Sequence, residues 1–162
     1  MTGGLRRRTV DVEVAAGERV LTAGRTPAGA VVAVTAQALY LPTRTGESRR
    51  VAWDDVEHAA WESPVLEVQT AAGSAPLRVL LEDPGRVPEA VRERVTSSIV
   101  VTERVVLADV GGAGAQITGR RSPDAPGLRW SVTFDHGLDP ADPALRAAAD
   151  RELARIRDSY GP

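Results

Sequence analysis

Residues 31–41, Val31-Val32-Ala33-Val34-Thr35-Ala36-Gln37-Ala38-Leu39-Tyr40-Leu41, are apolar almost from end to end. β-Branched residues dominate the first half, and Ala36-Gln37 is the natural point for a tight turn. The run therefore reads as two short strands back to back, a hairpin whose side chains supply a sheet core. A chain built on such a hairpin needs further strands to cover it.

Those strands are legible on both sides. Residues 9–14 alternate, with Val10, Val12 and Val14 on one face and Asp11 and Glu13 on the other, which predicts an extra N-terminal strand. Residues 18–23 predict the next strand. Pro42 ends the hairpin, since it has no N–H for a ladder. Further strands are expected over 49–53, 56–61, 65–70 and 76–81, separated by polar, Gly- or Pro-containing turns. Seven strands between 18 and 82, spaced by about ten residues, are the pattern of a small sandwich or barrel. Its expected core is Val20, Val32, Val34, Leu39, Leu41, Val51, Leu66, Val68, Val79 and Leu81.

The period changes after Asp83-Pro84-Gly85. Val87, Val91 and Val95 recur every fourth residue, and Pro88 suits a first helical turn, so a short closing helix is predicted. From Ile99 the pattern returns to strands, over 99–108, 115–121 and 128–134. A C-terminal helix then starts behind Asp139-Pro140-Ala141-Asp142-Pro143, where either Asp can act as N-cap. The expected class is α+β, mainly β, with a first domain over 1–98 and a small three-stranded unit with a helix over 99–162.

Composition narrows function mainly by exclusion. The chain has no cysteine and two histidines, which argues against a disulfide framework, a thiolate site or a three-ligand zinc centre. No cofactor is implied. The net charge of −2 and 4% aromatic residues do not suit a nucleic-acid binder. All the basic residues are Arg, the better fork for carboxylates and phosphates. No apolar run approaches the roughly 20 residues of a membrane span, and residues 6–8, three arginines, precede no apolar signal core. A cytoplasmic protein is expected.

Gly17-Glu18-Arg19-Val20-Leu21 resembles the opening of bacterial pleckstrin-homology-like (PH-like) domains. Val31-Val32-Ala33-Val34-Thr35 leading to Leu39-Tyr40-Leu41 resembles their central hairpin, and Arg50-Val51-Ala52-Trp53-Asp54-Asp55-Val56 the strand and turn that come next in that family. The resemblance covers residues 17 to about 97, and Ala36-Gln37 departs from the usual polar turn. The whole chain also resembles small actinobacterial proteins with this N-terminal half, which implies no activity. A PH-like resemblance implies a recognition scaffold for proteins, peptides or lipid headgroups, and no catalysis; fold alone does not fix function.

Three groups are candidate sites. Trp53, His58 and Trp61, with Glu57 between them, are the densest distinctive cluster. They suit an aromatic-rimmed groove for a partner protein or peptide, against the ordinary use of tryptophan as core. Arg25, Arg44, Arg49 and Arg50 suit forked binding of an anionic small molecule or headgroup, against the ordinary solvation of loop arginines. Asp135 and His136 are the residues an enzyme reading would use, but their spacing matches no ligand motif. Arg120, Arg121 and Arg129 lack the aromatics that RNA binding would want. The sequence thus favours a non-enzymatic interaction module for a protein or peptide segment, with an anionic ligand as the alternative and without nucleic acid.

Overall fold

The computed structural model describes residues 12–70 and 74–161. In it the 31–41 run is the expected hairpin. Strands β2 (Val31–Thr35) and β3 (Ala38–Pro42) pair antiparallel, with Val34 opposite Leu39 and Ala33 opposite Tyr40. The turn residues Ala36 and Gln37 include no Gly, Asn or Asp, and Thr35 supplies the side-chain oxygen instead. Its buried hydroxyl accepts from the Gln37 and Ala38 N–H groups at 3.2 and 2.9 Å. Strands β1 (Val20–Arg25) and β4 (Ser48–Ala52) flank this hairpin, giving a four-stranded sheet of order β1-β2-β3-β4.

A 3-10 turn, Trp53–Asp55, leads to β5 (His58–Glu62), β6 (Val65–Gln69) and β7 (Leu77–Leu80), a second meander of order β5-β6-β7. All seven strands expected between 18 and 82 are present. Among the described residues no ladder joins the two sheets, so they do not form a closed barrel. Val32, Val34, Leu39, Leu41, Val51, Leu66, Val68 and Leu81 are buried as expected, whereas Val20 and Val79 are half-buried. Helix α1 (Val87–Ser98) comes next, with Val87 and Val91 buried.

The alternation over 9–14 is corrected in part. Residues 9–11 lie outside the described residues, and 12–14 pair with no strand. Val12 and Val14 are nevertheless half-buried against Ala33, Ala38 and Tyr40, the face of the four-stranded sheet opposite Val32, Val34 and Leu39. Their period of two marks side-chain packing without a ladder.

The chain divides into two compact units between Arg94 and Val95, four residues before the expected boundary. The last turn of α1 belongs with the second unit because Arg120 Nη1 donates to the Val95 carbonyl at 3.0 Å and to Ser98 Oγ at 2.7 Å. A buried arginine thereby satisfies the helix C-terminus. The second unit contains β8 (Ile99–Leu107), β9 (Ala113–Arg121) and β10 (Leu128–Phe134) in the order β10-β9-β8, and α2 (Pro143–Tyr160). Val105, Leu107, Ala115 and Ile117 of the sheet pack with Leu145, Ala148, Ala149 and Ile156 of α2. Asp142 is the N-cap, accepting from the N–H groups of Ala144 and Leu145, with Pro143 in the first turn. The fold is thus α+β, mainly strand, and no helix of the described residues is long and apolar enough to cross a membrane.

One corner of the first unit depends on an absent side chain. Arg25 exchanges two backbone hydrogen bonds with Asp83, at 2.7 and 3.1 Å. A Cβ on Gly24 would lie 2.8 Å from the Asp83 carbonyl oxygen and 3.0 Å from that of Pro84. Gly24→Ala must therefore part the two backbones, and is expected to destabilise the protein by about 1–3 kcal/mol in urea unfolding. An unchanged midpoint would show that the corner yields freely.

Candidate functional site

Two places in the first unit gather the residues singled out above. The first centres on Glu18, just before β1. Its Oε2 accepts from the Thr35 hydroxyl at 2.7 Å and from the Tyr40 hydroxyl at 3.0 Å. Its Oε1 meets Arg50 Nε at 2.7 Å and Nη2 at 2.6 Å. Tyr40 Oη also accepts from the Ala15 N–H at 2.9 Å. The Glu18 side chain is 5% exposed, and this burial pushes its carboxyl up. The hydrogen bonds from Thr35, Arg50 and Tyr40, with the charge on Arg50, outweigh that and hold it below the ordinary value.

This arrangement distributes the four arginines. Tyr40 is opposite Arg50 and Leu41 opposite Arg49, so Arg50 shares the Tyr40 face and Arg49 the other. Arg50 is committed to Glu18. Arg44 is exposed in the β3–β4 loop, and Arg25, at the end of β1, reaches the Gly29 carbonyl oxygen at 3.5 Å. Arg49 and Arg50, neighbours in sequence, are not brought onto one face of the sheet. A hollow of about 670 Å³ does lie over the Tyr40–Arg50 face, walled by Val12 to Ala15 and by Gly29 to Val31. Glu18 already neutralises the one arginine that lines it.

The second place lies between β5 and α1. Trp61 is opposite Leu66 and Ala59 opposite Val68, so Ala59 and Trp61 share the buried face of the second sheet. Together with Pro88 and Val91 of α1 they line a groove of about 350 Å³, with Glu89 and Arg92 at its helical rim. Ala59 keeps the strand side low, and half-buried Trp61 stands at the wall. Among the described residues β5 pairs only with β6, so its other edge is open.

The three members of the aromatic cluster separate. Trp53 is buried, and its Nε1 donates to the Thr35 carbonyl at 3.1 Å, tying the hairpin turn to the segment after β4. His58 is exposed at the start of β5, on the face opposite Trp61. Trp61 alone lines the groove. Sequence reasoning did not single out Ala59, Pro88 or Val91 as site residues; the signal was two small residues in a predicted strand and, further on, a helix with apolar residues at every fourth position.

In the second unit Asp135 forms a bidentate pair with Arg104, at 2.8 and 2.5 Å. That pairing lowers its carboxyl pKa, through hydrogen bonding above all and with a smaller part from charge, against an opposing effect of burial. His136 is exposed in the turn after it.

Comparison with protein-family models gives no match, and neither does comparison with curated proteins or with solved structures.

Glu18→Gln keeps the shape and removes the charge. It is expected to cost about 2 kcal/mol at pH 7, since hydrogen bonds to a charged group are the stronger kind. Because the folded-state pKa is lowered, the stabilisation is complete above the ordinary value of 4.5 and is lost as pH falls through the lower folded value. Denaturation of both proteins from pH 3 to 8 should show a constant gap that closes only at the acid end. A gap that stays open there would mean that the charge of Glu18 is not its source.

Proposed function

We propose that the first unit is a PH-like recognition module, non-enzymatic and cytoplasmic, that takes an extended segment of a partner protein along β5, against α1. Two antiparallel meanders of four and three strands with a helix after them support the PH-like assignment. The observation that carries the binding mode is the open edge of β5 beside the Trp61 groove. A strand edge offers main-chain hydrogen bonds to any sequence, and the groove adds selectivity through alternate side chains. The low alanine floor leaves room for an incoming apolar side chain, and Trp61 gives it an aromatic wall.

Selection of random decapeptides displayed on phage against the full chain tests this reading. Enriched peptides are expected to shift the amide resonances of β5 and of Val91 and Arg92. Trp61→Ala should weaken them about tenfold or more, the scale of an aromatic anchor. Ala59→Leu, which fills the groove from its floor, should do the same while the thermal midpoint is kept. Enriched peptides that shift only residues elsewhere would contradict the proposal.

A further inference from the structure

The two faces of β5 differ in chemistry, and this constrains the partner. On the buried side an added strand would meet Ala59, Trp61 and Val91, all apolar. On the other side lie His58, Ala60 and Glu62, with Ala60 opposite Glu67 of β6. A shallow hollow of about 510 Å³ lies there, lined in part by Ala60, Glu62, Glu67 and Arg78. Glu62 is exposed and makes no ion pair among the described residues. Glu67 pairs with Arg78 at 2.6 Å, but Arg78 is on β7, two strands in from the edge, and its side chain is 70% exposed. A pair with so exposed a cation contributes little to stability.

From the open edge, then, the negative groups come first. Glu62 is on the edge strand, Glu67 is one strand in, and the cation is two strands in. Strands are spaced by about 4.8 Å, so a long side chain lying across the small Ala60 comes within reach of Glu67. On the helical rim Glu89 and Arg92 offset each other in charge.

The geometry points to a partner segment of alternating character, apolar residues inward against Trp61 and Val91, basic residues outward over Ala60 toward Glu62 and Glu67. This rests on the reading of β5 as a strand-accepting edge and adds the charge of the partner to it. The occupant is a basic, extended protein segment. Its cations supply steering and register, while the groove supplies the apolar contact.

The test uses the full chain and three terminally blocked nonapeptides that share alternating valine and leucine on one face. Their other face carries lysine, threonine or glutamate. Binding is followed by amide shifts at low and moderate salt, with each peptide taken to millimolar concentration. The lysine peptide is expected to shift β5 and α1 and to bind about tenfold or more tighter than the glutamate peptide, a difference that narrows with salt. Glu62→Lys, a change at an exposed position, should remove most of that preference. Equal shifts of β5 and α1 by all three peptides would overturn the charge assignment and leave the strand-accepting edge standing. No shift at β5 with any of them would overturn both.

Discussion

Glu18 belongs to no strand, yet its two oxygens hold the β2–β3 turn through Thr35, strand β3 through Tyr40 and strand β4 through Arg50. A carboxylate with a nearly buried side chain is costly unless its lone pairs are filled, and here two hydroxyls and a guanidinium fill them. The segment before β1 is thereby fixed across the sheet, with Tyr40 also holding the Ala15 N–H. Trp53 completes the anchoring through its bond to the Thr35 carbonyl, so the same turn is gripped from both ends of the chain that surrounds it. These contacts tie strands β2, β3 and β4 and the segments before β1 and after β4 to one another.

Local rules explain what was legible in the sequence. The strands over 18–82, the α1 helix and the N-cap of α2 could be read because each is set by such a rule: period, β-branching, proline and an Asp before Pro143. The long-range polar contacts could not. Glu18 and Arg50 lie 32 positions apart, and nothing in either neighbourhood announces the other. Arg50 therefore read as one of a loop cluster, although its register opposite Tyr40 decides its partner. The alternation at 12–14 was a true signal of burial, but a period of two does not say whether the backbone finds a ladder. The domain boundary moved for a similar reason, since Arg120 reaches back 25 residues to the last turn of α1.

The groove is legible only in retrospect. Ala59 is an ordinary residue in a strand, and its meaning comes from what lies around it: Trp61 at one side, Pro88 and Val91 of the helix at the other. The two tryptophans that looked like one cluster have separate duties. Trp53 secures the hairpin, and Trp61 is left to line a concavity beside an edge that is unpaired among the described residues. Unpaired edges are usually blunted by charge, proline or a bulge. β5 has a glutamate at its end and a proline shortly after it, but Ala59, Ala60 and Trp61 at its centre are neutral and carry none of these devices.

Amide hydrogen exchange of the full chain, read residue by residue, reports whether the outer edge of β5 is free. Slow exchange is expected throughout β2, β3 and β6, which are paired on both sides. In β5 the rates are expected to alternate, with amides facing β6 protected and those facing the open edge exchanging at near-loop rates. Uniform protection along β5 would rule out a free edge, because another segment would then already occupy it.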